Sequence, residues 1–295
     1  MAEVQKRRAT LGVIGGSGIY DLSLLTDVRE LDLSSPWGEP SAKPIEGVIG
    51  ETRVVFLPRH GAGHRFAPSD INYRANIDVL KRAGVTDLIS VSACGSYKEE
   101  LPPGTFVLVD QFIDRTFRRE TSFFGAGCVA HVSFSDPVAP NLVARIARAA
   151  AAEEIPHIVG GSYVCMEGPQ FSTRAESVAY KAMGASVVGM TNMPEAKLAR
   201  EAELPYATIA MVTDYDAWRP HESGVGVAEI LEVMRANGDR ARRLLARLAA
   251  EFPAEPEPCP LGSDRALDFA LVTALEHRDP ALLAKLDAIA GRVLD

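Results

Sequence analysis

Two carboxylates stand directly after an apolar, strand-like stretch of the chain. Asp214 and Asp216 follow residues 207–213, and side chains two apart on an extended backbone point to the same side. In an open α/β sheet, ligands bind beyond the carboxyl ends of the strands. The pair therefore predicts a site in which both carboxylates contact one small ligand, although solvated loop aspartates would give the same pattern.

A second strand-like stretch ends in residues that suit an anion. Arg59 and His60 lead from it into a glycine-containing loop, and arginine supplies a fixed charge with paired donors for phosphate. His60 could donate one more hydrogen bond, and its charge could respond to pH near neutrality. His60 and His64 also have the spacing of metal ligands on a helix, but Gly61 and Gly63 oppose such a helix. We expect no metal site here.

Three other strand ends carry small hydroxyl residues or unencumbered peptide groups. The first strand runs into Gly15-Gly16-Ser17-Gly18, where N–H groups and the Ser17 hydroxyl suit an anionic oxygen. The strands that end near Ser92 and Thr191 also turn through small polar residues. Each segment alone is typical of an ordinary turn or helix cap. Together with Arg59 they predict an oxyanion pocket that needs no broad positive surface.

The first glycine turn also raises the alternative of a dinucleotide-binding fold. That fold requires a Gly-x-Gly-x-x-Gly fingerprint after its first strand. If Gly16 and Gly18 begin the fingerprint, its third glycine falls on Asp21, whose carboxylate is a poor neighbour for a pyrophosphate. A Rossmann dehydrogenase is therefore the least favoured interpretation.

The elements that must position these residues alternate along the chain. Short runs rich in branched residues are separated by helical patterns, and this alternation indicates an α/β sheet. Strands are predicted at residues 11–14, 54–57, 88–91, 106–109, 163–166, 187–190 and 208–212.

Helices are predicted from apolar periodicity and from residues that cap helix ends. Residues 71–83 follow a possible cap at Ser69, and Thr173 with Glu176 forms a capping box. Gly84 and Gly184 stand where a left-handed residue would close a helix. The predicted helices are 71–83, 177–183, 195–203 and 227–252. We expect one domain, residues 1–295, in which 253–295 is a proline-led helical tail.

Composition excludes several classes of function. The chain has 295 residues and a formal net charge of -8, which argues against nucleic acid or an anionic membrane as a partner. No apolar run approaches the ~20 residues of a membrane span. The four cysteines lie far apart, as in reduced cytoplasmic proteins. We expect a cytoplasmic protein with a small-molecule ligand.

The order of these motifs resembles the trimeric purine nucleoside phosphorylase family, in particular its members that cleave 5′-methylthioadenosine. The matching segments span most of residues 11–231. They are Gly15-Gly16-Ser17-Gly18, Pro58-Arg59-His60-Gly61, Asn72-Tyr73-Arg74-Ala75-Asn76, Ala93-Cys94-Gly95-Ser96, Asp110-Gln-Phe-Ile-Asp-Arg-Thr116, Glu167-Gly168-Pro169, Gly189-Met190-Thr191, Met193-Pro194-Glu195 and Thr213-Asp-Tyr-Asp-Ala-Trp218.

The resemblance implies a nucleoside phosphorylase-like fold: a central mixed β-sheet flanked by helices, with a C-terminal helical tail. It implies that inorganic phosphate attacks the anomeric carbon of the sugar and adenine leaves, giving 5-methylthioribose 1-phosphate. Phosphate is then a co-substrate, and neither a metal nor an organic cofactor is needed. The implied assembly is a homotrimer or a homohexamer in which neighbouring subunits complete each site.

Carried over position by position, the resemblance assigns residues to four parts of the site. The phosphate ligands would be Ser17, Arg59, His60, Ser92, the Ala93 amide and Thr191. Contacts to the ribose, the purine face and the purine edge would come from Met190, from Phe171, and from Asp214 with Asp216. The methylthio group would be surrounded by His131, Val227 and Leu231. Specificity would depend on Ser172 and Val227.

The chemistry explains why the resemblance needs a carboxyl pair. Breaking an N-glycosidic bond builds negative charge on the departing base, and a protonated carboxyl group can stabilise adenine at N7. Asp214 is the candidate for this role. The like charge of Asp216 would raise one pKa of the pair, while Asp216 accepts from the exocyclic amino group. Asparagine at position 214 would instead favour 6-oxopurines.

Two features depart from the family pattern, and three alternatives remain. Many relatives have threonine in place of Ser17 and Ser92, and the region after Pro253 does not match the expected family ending, which roofs a neighbouring site. The chain could instead cleave adenosine or 6-oxopurine nucleosides with phosphate. It could hydrolyse nucleosides without phosphate, although Arg59 and His60 argue against this. It could also be a catalytically silent purine-binding module.

Overall fold

A mixed β-sheet forms the centre of the protein. The computed structural model describes residues 8–16, 25–219 and 227–294, and for 227–231 it describes the backbone alone. The described residues form one sheet of eleven strands. The strands are β1 (Thr10–Gly15), β2 (Thr26–Glu30), β3 (Ile45–Ile49), β4 (Thr52–Pro58), β5 (Asp87–Ser96), β6 (Phe106–Leu108), β7 (Gln111–Arg115), β8 (His157–Val159), β9 (Ser162–Met166), β10 (Val187–Gly189) and β11 (Tyr206–Tyr215).

β5 is the strand around which the sheet is organised. The sheet has the order β2-β3-β4-β1-β5-β10-β9-β7, and β11, β6 and β8 extend it from β5 on a second path. β5 pairs in parallel with β1 and β11 and antiparallel with β10. All seven strands predicted from the sequence are present. β2, β3, β7 and β8 were not predicted, and β2 is exposed along its whole length, so it lacks an apolar signature.

Seven α-helices are described, together with short 3-10 turns. The predictions for 71–83, 177–183, 195–203 and 227–252 are confirmed within a few residues, whereas the second and the last two helices had no individual prediction. The helices are α1 (Tyr73–Arg82), α2 (Pro140–Ala152), α3 (Arg174–Ala182), α4 (Asn192–Glu201), α5 (Val227–Ala250), α6 (Pro280–Lys285) and α7 (Asp287–Leu294). None of the described helices combines the length and apolarity that crossing a membrane requires.

The cap of α1 differs from the prediction. Asn72, not Ser69, precedes the first helical residue, and its side chain accepts a hydrogen bond from the Ala75 amide at 3.1 Å. Asparagine caps a helix as well as serine does, so the residue next to the helix takes the role. The Ser69 hydroxyl instead donates to the Glu167 carbonyl at 3.2 Å. Ser69 therefore links the start of α1 to the end of β9.

Other local signals gave correct helix boundaries. Thr173 and Glu176 form both hydrogen bonds of the capping box at the start of α3. Gly84 and Gly184 have positive φ angles of 81° and 83°, as expected for residues that close helices α1 and α3. These signals depend only on neighbouring residues, which explains why the sequence is sufficient to find them.

Helices cover the sheet on both faces, and the strands alternate between two cores. On β4, Val54 and Phe56 pack in the core beneath α2 and α5, while Val55 and Leu57 pack in the core with α1 and α4. Central strands buried on both faces are apolar over long runs, which is the pattern read from the sequence. The resulting α/β/α sandwich holds the strand ends in fixed positions.

The C-terminal tail packs against the main core. Leu286 and Ile289 are buried in the same apolar cluster as α1, and Arg82 of α1 pairs with Asp287 at the start of α7. Before these helices, Ala130 forms a β-bridge with Leu271. The tail therefore contacts both the sheet sandwich and the loop that carries His131.

Candidate active site

The central strand forks, and the fork leaves a gap in the sheet. β1 ends at Gly15, opposite Val91 of β5, and β10 begins to pair with β5 at Gly95. Between these two points, β5 has no partner in the described sheet on that side. Of the ten residues of β5, Ala93 alone is exposed. An opening therefore lies over Ala93, bounded by the carboxyl ends of β1 and β10.

The Ala93 amide faces this gap. The Val91 carbonyl accepts from Arg59 Nη1 at 3.2 Å, and the Cys94 carbonyl accepts from Thr213 Oγ1 of β11 at 3.2 Å. Peptide groups alternate in direction along a strand, so the groups of Val91 and Ala93 point to the same side. The Ala93 N–H is thus directed towards Arg59, where a donor for an anion was predicted.

Arg59 is held rigidly at the end of β4. Its side chain is 1% exposed, and its Nε donates to Glu195 Oε2 at 2.8 Å while its Nη2 donates to Ser90 Oγ at 2.6 Å. Burial opposes the positive charge, but the carboxylate of Glu195 raises the pKa of Arg59 above its ordinary value. Nη1 lies 4.0 Å from where a Cβ would stand on Gly16. After bonding Val91, Nη1 keeps one hydrogen that can be donated towards the glycine turn.

His60 is neutral in this environment. Burial and then the charge of Arg59 lower the pKa of His60 to about 4, so the expectation that its charge responds to pH near neutrality is wrong. Its Nδ1 lies 2.9 Å from the Phe66 carbonyl, which can only accept, so Nδ1 carries the hydrogen. Nε2 is therefore an acceptor. The ring stacks on His64 with centroids 4.0 Å apart.

Two hydroxyl residues approach the gap from β5 and β10. Ser92 Oγ lies 3.4 Å from Asn192 Oδ1, which places the start of α4 beside the middle of β5. Thr191 precedes α4, and its Oγ1 is buried without a hydrogen-bond partner among the described residues. Buried hydroxyl groups are nearly always hydrogen-bonded. The Thr191 hydroxyl is thus available to a ligand in the gap.

Asp214 and Asp216 lie beyond the other end of the gap. The register between β11 and β5 shifts at Thr213, as in a β-bulge, and Asp214 then pairs with Gly95. A Cβ on Gly95 would lie 3.2 Å from both Asp214 Oδ1 and the Asp216 Cβ. The two side chains therefore converge over Gly95, as their spacing predicts. Asp216 Oδ2 is buried and has no hydrogen-bond partner among the described residues.

The environment of Asp214 favours its protonated form. Burial raises the pKa of Asp214, a hydrogen bond from Thr213 Oγ1 at 2.7 Å opposes this effect, and the charge of Asp216 raises the pKa further. The sequence-based argument assigned the shift to Asp216, whereas burial is the larger cause. A carboxyl group in this state can donate a proton or a hydrogen bond to a base.

The remaining predicted contacts are only partly assembled. Met190 packs on Gly168, where a Cβ would lie 2.5 Å from Met190 Sδ. Ser172 lies on the Asp216 side, because burial and then Asp216 raise the pKa of Tyr97 while a hydrogen bond with Ser172 lowers it. These contacts join the end of β10 to the loop that follows β9.

Other predicted residues are not joined to this cluster by any described contact. Phe171 is 85% exposed, and His131 is exposed with its amide bonded to the Ala270 carbonyl of the tail at 2.9 Å. Ser17 and the side chains of Val227 and Leu231 lie outside the described residues. Their predicted roles therefore stay predictions.

The sequence analysis missed the residues that hold the site together. Glu195, Asn192 and Thr213 bind Arg59, Ser92 and Asp214 through buried hydrogen bonds. A buried arginine needs a carboxylate partner, so an acidic residue was to be expected beside Arg59. The sequence could not say which one, because Glu195 is 136 residues away.

The geometry places the anion-binding groups and the carboxyl pair along one strand. Arg59 binds Ser90 and Val91, and Asp214 pairs with Gly95. Val91 and Gly95 are four residues apart on β5, or about 13 Å at the usual rise of a strand. A phosphate, a pentose and a purine can lie side by side over this distance.

Comparison with known proteins agrees with this geometry. S-methyl-5′-thioadenosine phosphorylase of Bradyrhizobium diazoefficiens is 67% identical over 287 residues, covering 97% of this chain and 99% of the relative. The corresponding protein of Cereibacter sphaeroides is 57% identical over 287 residues, covering 97% and 99%. Because 97% of the chain is matched, the C-terminal tail is shared with these relatives.

Solved structures give the same result. A methylthioadenosine phosphorylase from an antarctic soil metagenomic library has a TM-score of 0.90 and 44% identity, covering 96% of this chain and 99% of that one. The Schistosoma mansoni methylthioadenosine phosphorylase in complex with adenine has a TM-score of 0.77 and 39% identity, covering 82% and 91%. Residues 10–250 match the family described as the phosphorylase superfamily, and the chain belongs to that family.

Proposed function

We propose that the protein catalyses the reversible phosphorolysis of 5′-methylthioadenosine to adenine and 5-methylthioribose 1-phosphate, a step of purine and methionine salvage. The observation that carries this proposal is the gap over Ala93, which has Arg59 at one end and Asp214 at the other. The names of the relatives support the choice of nucleoside. Adenosine and 6-oxopurine nucleosides are the alternative substrates.

Phosphate would occupy the end of the gap beside Arg59. Nη1 of Arg59, the Ala93 amide and the Thr191 hydroxyl can all donate to its oxygens. Ser17 and Ser92 complete the proposed set. Because Glu195 neutralises much of the Arg59 charge, binding relies on several directed donors. This arrangement suits an anion pocket in a chain with a formal net charge of -8.

His60 would select a protonated phosphate. Its Nδ1 hydrogen is committed to the Phe66 carbonyl, so its Nε2 can accept a hydrogen bond but cannot donate one. Phosphate near neutral pH still carries one or two hydroxyl groups. A phosphate O–H donated to Nε2 would orient the remaining oxygens towards Arg59 and the Ala93 amide.

Bond cleavage would proceed between the two ends of the gap. A phosphate oxygen forms a bond to the anomeric carbon as the glycosidic bond to N9 breaks, and the electron pair of that bond passes to adenine. Asp214 donates its proton at N7 and so stabilises the leaving base. Asp216, whose Oδ2 lacks a described partner, accepts from the exocyclic amino group. Met190 would contact the ribose and Phe171 the purine face, with Ser172 and Val227 setting specificity.

The proposed enzyme needs no metal or organic cofactor, since phosphate supplies the nucleophile and Asp214 the proton. We propose a cytoplasmic location because the four cysteines are buried, free thiols. We also propose that residues 1–295 form a single domain, because the tail shares its core with α1.

One assay tests the proposed reaction. Adenine release from 5′-methylthioadenosine should require phosphate and should yield one sugar 1-phosphate per adenine. Inosine, run in parallel, should be cleaved much more slowly, because Asp214 and Asp216 suit an amino group. Release without phosphate would indicate a hydrolase, faster cleavage of inosine a 6-oxopurine enzyme, and binding without release a silent purine-binding module.

A homotrimer is the assembly that we propose. Val129, Phe269, Val272 and Leu275 form an exposed apolar surface next to His131, and backbone bonds join its two segments. Apolar surfaces of this kind commonly mark protein contacts. In a trimer, His131, Val227 and Leu231 would close the methylthio end of the pocket.

Light scattering after size-exclusion chromatography should give three times the chain mass of 31.7 kDa. Phe269→Asp should shift the mass towards the monomer and lower activity. Six copies would indicate a homohexamer, and a wild-type monomer with full activity would contradict the assembly.

A further inference from the structure

One buried arginine beside the candidate site has no role in the proposed reaction. Arg119 follows β7, and its side chain is 1% exposed. Taking a guanidinium group out of water is costly unless its hydrogen bonds are satisfied. The partners of Arg119 therefore indicate what the charge is retained for.

Those partners are backbone carbonyls at the edges of the site. Nη1 donates to the Met190 carbonyl at 2.6 Å and to the Met193 carbonyl at 2.5 Å. These two carbonyls enclose Thr191, whose hydroxyl is a proposed phosphate ligand. The backbone of Met190 and Thr191 cannot shift without breaking at least one of these charge-assisted bonds.

Arg119 also binds the neighbouring strand end. Its Nη2 donates to the Glu167 carbonyl at 2.7 Å, and Nε lies 3.6 Å from Glu167 Oε1. The Glu167 carboxylate in turn accepts from the Phe117 amide at 2.6 Å. A single guanidinium group thus ties the end of β9, which leads to Ser172, to the end of β10.

The charge of Arg119 reaches the phosphate end as well. Burial is the main cause of the lowered pKa of His60, followed by Arg59, and Arg119 makes a smaller contribution of the same sign. Its contacts are therefore made close to the proposed anion, where both the geometry and the charge of the arginine act on the site.

We propose that Arg119 is a positioning residue for catalysis: it holds the turn from Met190 to Met193 so that Met190 and Thr191 meet the ribose and the phosphate. The inference rests on the proposed phosphorolysis. Arg119 does not itself contact the substrate. Its replacement should therefore change the placement of both ligands, with a larger effect on Michaelis constants than on the proton transfer from Asp214.

Arg119→Lys and Arg119→Ala test the inference. Lysine keeps the charge but cannot bind three separated carbonyls, so the Michaelis constant for phosphate should rise about tenfold, and with alanine up to about 100-fold. The kcat should change less than the Michaelis constants. Guanidinium ion at millimolar concentration should lower the raised Michaelis constant of Arg119→Ala and should not affect the wild type.

Arg200 provides a matched control. It is also a buried arginine that donates to two loop carbonyls, those of Ser133 and Asp136, but these lie away from the gap. Arg200→Ala should lower the melting temperature as Arg119→Ala does, while its Michaelis constants stay within about twofold of the wild type.

The outcomes separate this inference from the proposed reaction. A wild-type protein without phosphate-dependent adenine release would overturn the proposed function. With an active wild type, Michaelis constants that are equal in the Arg119 and Arg200 variants and do not respond to guanidinium would show that Arg119 is merely structural. If Arg119→Ala does not fold, the Michaelis constants of Arg119→Lys decide the question.

Discussion

Asp214→Ala should abolish the turnover of 5′-methylthioadenosine. The substitution removes the only group that we assign to protonation of the leaving base, and such groups contribute roughly 10²- to 10⁴-fold to rate. Binding of phosphate should change little, because its proposed ligands lie near Val91, at the other end of the gap. The measurement is kcat for adenine release at saturating phosphate. Near-normal turnover would exclude Asp214 from the mechanism.

Asp214→Asn separates proton donation from hydrogen bonding. Asparagine can donate a hydrogen bond but not a proton, so adenine release should remain slow while the relative rate with inosine rises. In the wild type, kcat should fall as pH rises through the pKa of Asp214, since the proton donor is lost. This alkaline decline should be absent in Asp214→Asn.

Asp87→Asn is the control for both changes at Asp214. Asp87 lies at the opposite end of β5, and burial raises its pKa to about 6, so it is also a buried carboxyl group. Its replacement should leave the kcat and its pH dependence nearly unchanged. A comparable loss of turnover would mean that Asp214→Ala acts through the sheet and not through the base.

Arg59→Ala should have the second large effect, a rise of roughly 100-fold or more in the phosphate requirement. The same substitution would leave the Glu195 carboxylate buried without its partner, which costs about 3–5 kcal/mol of stability. Loss of activity in this variant alone could therefore come from unfolding. The phosphate dependence must be measured on protein shown to be folded.

Replacing both members of the pair resolves this ambiguity. Arg59→Met with Glu195→Gln removes both buried charges, so the melting temperature should recover while the Michaelis constant for phosphate stays high. Arg53→Met with Glu46→Gln is the matched control, because this ion pair lies on the same strand near its other end. Unchanged phosphate dependence in the first double variant would remove Arg59 from the site.

Local signals in the sequence predicted much of the fold. The seven predicted strands are apolar because both faces of the central sheet are buried, and the capping box at Thr173 involves residues only three apart. The cap at Asn72 was misplaced because two suitable cap residues lie close together. The exposed β2 was missed because its residues do not alternate between apolar and polar.

The candidate site was predicted in kind but not in detail. The sequence and its family resemblance identified Arg59, Ala93, Thr191 and Asp214, and the structure brings their strand ends to one gap. Residue type alone suggested that His60 titrates near neutrality. Its neutral form depends on burial and on the neighbouring charge of Arg59, which only the folded chain provides.

The sequence by itself determined the α/β class, the strand ends and the chemistry of the groups placed there, since these follow from nearby residues. Tertiary structure alone decided that β1, β10 and β11 meet on β5, that Glu195 pairs with Arg59, and that Arg119 binds the turn at Met190. The physical reason is distance along the chain. Contacts between residues far apart in sequence form only when the whole core packs, and no local pattern records which partners will meet.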